Sequence, residues 1–288
     1  MKEKFSSCTN PYWTRHPKLG WVPCPCGKCY NCLVKDSNDL FFRCRVETAN
    51  AKSSYFITLT YDDSVVPTEN GELVLRKKDL QDFFKRVRKS LTKKNVNLRY
   101  FYVGEYGGEF NRPHYHLALW LDAHLPYTII YSIISSEWHF GIIKINFLQT
   151  SRLHYLVKYF NKIDDRPHLV KPFRNWSKGL GASYLTKNTI NYHHANLTTI
   201  THRYGRTFSL PKYLKNKIFN ENELLQIAKQ AKEFNDDFQS DFYASHRVLP
   251  RDFYANENLR KLVKAKNQQK IIYSERNDMS ISDNNDFM

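Results

Sequence analysis

His114-Tyr115-His116 sets two imidazoles at positions i and i+2, and it runs into the apolar stretch Leu117-Ala118-Leu119-Trp120-Leu121. On a strand those two side chains point to the same side, a geometry that can grip one metal ion. Farther on, Tyr155-Leu156-Val157-Lys158-Tyr159 carries two phenols four residues apart. On a helix they share a face, about 6 Å apart along the axis at 1.5 Å per residue. A cation that polarises a phosphodiester and a phenol that attacks it make a reaction, so the two patterns together point to phosphodiester transfer on nucleic acid. A free phenol, with a pKa of about 10, is a poor nucleophile at neutral pH. A nearby cation, or Lys158, favours the phenolate. The histidine pair is weak alone, since chance gives about 0.4 such pairs at this histidine content. Its flanks give it weight.

A third ligand is needed, and Glu105 is the best placed. It follows the strand before the histidine strand, and a hairpin would set its end beside His114. Glu109 competes from the connecting loop. Two imidazoles and a carboxylate accept Mg²⁺ or Mn²⁺ with positions left open for phosphate oxygens, and zinc also fits such a site.

A second cluster is Cys24-Pro25-Cys26-Gly27-Lys28-Cys29-Tyr30-Asn31-Cys32, with Cys8 upstream. Overlapping Cys-x-x-Cys steps let paired thiolates reach one zinc. Cys8, Cys26, Cys29 and Cys32 make a tetrahedral set for structural Zn²⁺, and Cys24 is surplus or a substitute for Cys8. An iron–sulfur cluster is the lesser alternative.

The elements that must carry these residues can be read from periodicity. Residues 36–52 read as a helix. Tyr55 to Tyr61 is rich in β-branched and aromatic residues and reads as a strand. Leu80, Phe83, Phe84, Val87 and Leu91 recur at helical spacing, with Lys85, Arg86, Arg88 and Lys89 on the outer face. Strands follow at 98–104 and at the histidines, a helix at 127–138, a strand at 142–147, and the tyrosine helix capped by Thr150 or Ser151. This order suits an α+β fold: an antiparallel sheet with flanking helices on one face, of the ferredoxin-like split pattern. Pro172 to Gly181 reads either as a DNA-touching loop or as a packing loop. Asn222 to Phe234 reads as a helix, and the polar end of the chain as a disordered tail. The domain expectation is therefore 1–50 for the Cys-rich segment and helix, 51–220 for the endonuclease-like domain, 221–266 for a helical extension and 267–288 for the tail.

The 288 residues carry 44 Lys and Arg against 28 Asp and Glu, a formal charge of +16, which is the footprint of a partner rich in phosphate. Aromatics make up 15% of the chain, enough to supply faces for unpaired bases as well as a core. Met1–Lys18 has no apolar core, so no secretory signal is expected, and no run reaches the roughly 18 apolar residues of a spanning helix. A soluble intracellular protein without a membrane partner is expected, with its cysteines reduced or metal-bound. A Gly-rich Lys-Ser/Thr phosphate loop is absent, so DNA unwinding would fall to another protein.

Taken in order, Phe56-Ile57-Thr58-Leu59-Thr60-Tyr61, Glu105, Pro113-His114-Tyr115-His116-Leu117 and Tyr155-Leu156-Val157-Lys158-Tyr159 resemble the rolling-circle replication initiators of the HUH endonuclease superfamily. The resemblance is greatest to the replication initiation proteins of gokushoviruses, small single-stranded DNA bacteriophages of the microvirus group. Those proteins share an upstream Cys and a Val-Pro-Cys-Gly-x-Cys-x-x-Cys run, from which Cys24 departs. Pro172-Phe173, Lys178 to Gly181 and Ser209 to Tyr213 also look like family segments, and the likeness spans about residues 8 to 220. It implies His114, His116 and Glu105 as ligands, Tyr155 and Tyr159 as nucleophiles, and Lys158 as a stabiliser of phenolate or phosphate. It implies single-stranded DNA at a viral replication origin as substrate, a 5′-phosphotyrosine link, host polymerase and helicase as partners, and the host bacterial cytoplasm as the place. A transposase or relaxase of the same fold, and a non-catalytic zinc-knuckle nucleic-acid-binding protein, are the alternatives. Tyr184 is the next nucleophile to consider should the pair fail.

Overall fold

A computed structural model describes residues 8, 10–108, 110–158 and 167–231. The chain divides into two compact units, Met1–Lys35 with Phe219–Met288, and Asp36–Ile218.

In the first unit, β1 (Tyr12–His16) and β2 (Gly20–Cys24) form an antiparallel hairpin. Sequence reading expected irregular chain here. Five-residue strands with almost no buried position show no apolar alternation to read. Helix α1 (Tyr30–Asn50) begins inside the cysteine cluster, six residues before its expected start. Residues 221–231 are helical, and the rest of the expected C-terminal helix and the tail lie outside the described residues.

The second unit is built on five strands: β3 (Ser53–Thr60), β6 (Leu98–Tyr106), β7 (Pro113–Leu121), β8 (Ile143–Phe147) and β9 (Phe173–Trp176). Their order is β8-β3-β7-β6-β9, and every neighbouring pair is antiparallel. β7 lies between β3 and β6, whose connection carries α2 (Lys77–Thr92), and β3 lies between β7 and β8, whose connection carries α3 (Tyr127–Glu137). That interleaving is the split βαβ pattern. A small hairpin, β4 (Thr68–Glu69) with β5 (Glu72–Leu73), precedes α2.

The period of two sorts the sheet's faces. Tyr55, Ile57, Leu59 and Tyr61, together with Tyr115, Leu117, Leu119 and Leu121, join Leu80, Phe83, Phe84, Val87 and Leu91 of α2 and Ile130, Ile133 and Ile134 of α3 in one apolar core. His114, His116, Ala118 and Trp120 therefore take the opposite face. That face is also covered, contrary to the one-sided expectation. Trp120 Nε1 donates to Thr48 Oγ1 of α1 at 2.9 Å, and α4 (Thr150–Lys158) lays Tyr155 against His116. α4 begins at Thr150, where Leu153 N–H donates to the Gln149 carbonyl and the Thr150 hydroxyl accepts from Arg45. Thr150 thus sits in the first turn rather than before it.

Pro172 to Gly181 is a packed segment. Its first part is β9, and the rest is tied down by Arg43 Nε donating to Leu180 O at 2.8 Å and Glu47 Oε1 accepting from Gly181 N–H at 2.6 Å. Gly181 has φ +80°, and a Cβ there would stand 2.9 Å from that of Arg43, so only glycine fits. A short 3-10 turn (Ala182–Tyr184), α5 (Lys187–Asn196), the hairpin β10 (Ile200–Arg203) with β11 (Arg206–Ser209), and α6 (Lys212–Ile218) complete the unit.

Candidate active site

The register of three strands assembles the site. Glu105 of β6 and Thr60 of β3 both pair with His114 of β7, and Thr58 pairs with His116. β6 runs on to Tyr106, so Glu105 belongs to a strand and not to the turn that follows it. Its side chain reaches the face shared by both histidines. Tyr115, between them, points the other way. Its hydroxyl lies 2.8 Å from that of Tyr61 and accepts from Arg76 N–H at 3.0 Å. Gly104, paired with Tyr115, leaves room for its ring, since a Cβ at that position would meet Tyr115 at 3.1 Å. β7 is thereby held from below while the imidazoles project above.

Glu105 Oε1 lies 2.9 Å from His114 Nε2 and 3.0 Å from His116 Nε2. Glu105 and His116 are 7% and 8% exposed, and His114 is half-buried. Burial works to raise the Glu105 carboxyl pKa. Hydrogen bonds from His114 and His116, and their charge, outweigh it and hold the group below its ordinary value.

The donor chemistry fits a cation. His114 Nδ1 is 3.1 Å from the Arg112 carbonyl oxygen, which only accepts, so that nitrogen carries the proton. A neutral ring then presents its Nε2 lone pair to a carboxylate, acceptor against acceptor. An imidazolium resolves this, and so does a cation between the two. His116 is held alike, with Nδ1 3.0 Å from Thr58 Oγ1 and Nε2 on the same carboxylate oxygen. Outer partners that fix the tautomer this way are usual for metal-binding histidines. The spacing agrees as well, since adjacent octahedral ligands about 2.1 Å from one ion stand about 3 Å apart.

Tyr155 of α4 is 41% exposed, and its ring meets His116 edge-on with centroids 5.4 Å apart. Phe56 connects the group: His116 stacks on it at 5.5 Å, Tyr155 meets its edge at 6.4 Å, and the Arg152 guanidinium lies over it at 5.4 Å. Lys158 ends α4. Tyr159 and Glu109 lie outside the described residues. Tyr184, the reserve nucleophile, is buried with its hydroxyl 2.8 Å from His193 Nε2, which leaves it unsuited to attack on DNA.

Sequence reading missed Thr58, Phe56, Arg152 and the Arg112 carbonyl. It also missed a row across the sheet, Lys144, Thr58, His116, Val103 and Arg174, that flanks the site with two exposed cations. Register alone creates that row, and no local pattern in the chain marks it.

In the other unit, the Sγ atoms of Cys8, Cys26, Cys29 and Cys32 converge within 4.8 Å, and Cys24 is not among them. Cys8 and Cys29 sulfurs are 3.7 Å apart. Two thiolates about 2.3 Å from a tetrahedral zinc stand about 3.8 Å apart. Backbone N–H groups of Lys28 and Cys29 donate to Cys26 Sγ at 3.4 and 3.3 Å, and that of Cys26 donates to Cys8 Sγ at 3.3 Å. Burial, and then the neighbouring sulfurs, push the Cys32 thiol pKa up to about 12. Four crowded sulfurs cannot all ionise unaided, and a shared cation removes that cost.

Residues 54–164 match the family model of the replication-associated protein ORF2. The chain is 27% identical over 217 residues to the replication-associated protein ORF2 of Spiroplasma virus 4, covering 68% of each. It is 27% identical over 185 residues to the replication-associated protein VP4 of Bdellovibrio phage phiMH2K, covering 57% of this chain and 58% of the relative. With the replication-associated protein ORF4 of Chlamydia phage 1 it shares 24% identity over 49% of this chain and 38% of the relative. Among solved structures it is similar to the N-terminal nuclease domain of a minute virus of mice non-structural protein, at 10% identity and a TM-score of 0.21, covering 67% of this chain and 98% of that one. So slight a likeness carries no argument.

Proposed function

For a chain that belongs with the replication-associated proteins of gokushovirus-type phages, we propose that the geometry around His116 serves rolling-circle initiation. The protein nicks single-stranded DNA at the viral origin, holds the 5′ end on tyrosine and later rejoins the strand. The observation that carries this reading is the half-exposed phenol of Tyr155 beside the Glu105, His114 and His116 cluster.

Glu105, His114 and His116 hold a Mg²⁺ or Mn²⁺ ion, which supplies polarisation of a non-bridging phosphate oxygen at the scissile bond. Arg112 O and Thr58 keep the imidazoles in the tautomer that binding requires. Tyr155 loses its proton and its oxygen attacks phosphorus. The bond to the 3′ oxygen breaks, and that oxygen takes a proton to become a free 3′-OH. One phosphodiester is exchanged for one phosphotyrosine, so the reverse step rejoins strands with no other energy source. Arg152 adds positive charge near the phenolate or phosphate, the role that the resemblance gives to Lys158. Tyr159 is the second nucleophile, cutting the regenerated origin while the first tyrosine holds the old end. A host polymerase extends the 3′-OH, a host helicase opens the duplex, and the work takes place in the host cytoplasm. Among the described residues no helix is long and apolar enough to cross a membrane.

The test is incubation of the protein with labelled single-stranded viral DNA and Mn²⁺, followed by a denaturing gel and mapping of the adduct. A covalent species on Tyr155 or Tyr159 is expected. DNA bound but never cleaved would favour the non-catalytic zinc-knuckle reading.

A further inference from the structure

The unit that holds the cysteines contains two tryptophans with no core to join. Trp120 and Trp138 of the other unit are 2% exposed, whereas Trp13 and Trp21 are 52% and 63% exposed. They are not scattered. In the β1–β2 hairpin Trp13 pairs with Pro23 and Arg15 pairs with Trp21. Cross-strand partners and i, i+2 neighbours share a face. Trp13, Arg15, Trp21 and Pro23 thus lie on one side of the ribbon, with Lys18 at its tip.

Charge decides what such a face suits. From Asn10 to Lys35 the chain has no Asp or Glu, and it carries Arg15, Lys18, Lys28 and Lys35. An apolar protein partner would not need this excess. Flat, exposed indoles interleaved with cations match unpaired bases strung on a phosphate backbone. A duplex offers no open base faces, so the match is to a single strand.

We infer that the Trp13–Arg15–Trp21 face of the β1–β2 hairpin is a stacking platform for single-stranded DNA, separate from the Glu105–His114–His116 cluster. Bases stack on the two indoles, and Arg15 and Lys18 meet phosphates. Stacking tolerates any base, so the platform grips DNA without reading its sequence. The choice of DNA as the nucleic acid rests on the proposed function, but the stacking itself does not require that the strand be cut.

The experiment uses the full chain, a fluorescently labelled oligothymidine of about 15 nucleotides and no added divalent ion, so that binding is read without cleavage. Wild-type protein should bind with quenching of tryptophan fluorescence. Trp13→Ala with Trp21→Ala should weaken affinity about ten-fold or more per lost stack, with an unchanged thermal melt and zinc content. Trp13→Phe with Trp21→Phe should keep affinity within about three-fold while most of the quench disappears, since phenyl rings also stack. Unchanged affinity in the double Ala variant would overturn the platform. If the Ala pair melts early, the Phe pair decides: quenching as strong as in wild type places the strand elsewhere. The catalytic reading is scored apart, by the wild-type adduct on origin DNA with Mn²⁺. Adduct without quench sinks the platform alone, and quench without adduct sinks the nuclease alone.

Discussion

Two side-chain clusters in this protein could each hold an ion, and they are built in opposite ways. Glu105, His114 and His116 stand on adjacent strands of a five-stranded sheet whose other face is a large apolar core. Cys8, Cys26, Cys29 and Cys32 stand on a short hairpin's margin and the first turn of a helix, and of these four only Cys32 is buried. The sheet positions its ligands by packing, so the site is formed before any ion arrives. The hairpin has no such support, since an isolated two-stranded ribbon is marginal in water. There the ion must do the ordering. One cluster suits chemistry, with ligand positions left open, and the other suits structure, with four sulfurs closing the shell.

The largest expected effects separate the two directly. His114→Ala or His116→Ala should lower nicking by at least about 10²–10³-fold, the scale of losing a group that stabilises charge in a transition state, while the sheet melts near the wild-type temperature. Cys26→Ser should instead release zinc and open residues 8–35 to protease, leaving amide exchange in β3 and β7 protected. If zinc loss exposed the sheet amides as well, the contrast between the two clusters would fail. Tyr155→Phe comes next. It removes the nucleophile but no ligand, so metal binding should persist while the adduct on that residue vanishes. With Tyr159→Phe added, no adduct should form. An adduct in the double variant would place the nucleophile elsewhere.

A smaller effect tests the packing half of the comparison. Leu117→Ala removes a fully buried side chain between α2, α3 and the sheet and should cost about 2–5 kcal/mol of stability. Val22→Ala in the hairpin, where little is packed, should cost within about 0.5 kcal/mol. Equal losses in chemical denaturation would mean that the hairpin has a core of its own.

How much of this was legible follows the same division. β3, α2, β6, β7, α3, β8 and α4 all lie where alternation or helical spacing placed them, because each buries one face and the sequence must mark that face. The histidine pair and Glu105 were legible as a site because the hairpin between β6 and β7 is local in the chain. β9 was not, since Phe173-Arg174-Asn175-Trp176 is four residues at a sheet edge, too short for a period. α5 was missed as well, since Lys187–Asn196 has one aliphatic residue beyond alanine and is held by a Thr186–Thr189 capping box. The supports at Thr58, Phe56 and the Arg112 carbonyl come from distant register or from the backbone, and neither leaves a motif.

The smallest effect concerns two buried glutamates whose environments act in opposite directions. Glu105 has its carboxyl pKa lowered, because its histidine partners outweigh burial. Glu47 has its own raised: burial dominates over the hydrogen bond from Gly181 N–H and the nearby Arg99 and Arg43. Linkage turns these shifts into opposite slopes. A lowered folded-state value means that the unfolded chain binds protons more tightly. The stability from Glu105 is therefore present above the ordinary value of 4.5 and is lost as pH falls through the folded-state pKa. A raised value means the reverse, so stability linked to Glu47 is complete below 4.5 and declines as pH rises through its folded-state pKa. In metal-free protein, Glu105→Gln should flatten the loss of melting temperature on the acid side of 4.5. Glu47→Gln should flatten a decline on the alkaline side. Melting curves every half unit from pH 3 to 7 measure both. A matching change of slope in the two variants would mean that the histidines do not overcome burial at Glu105, and that the sheet site is less well prepared for a cation than its distances imply.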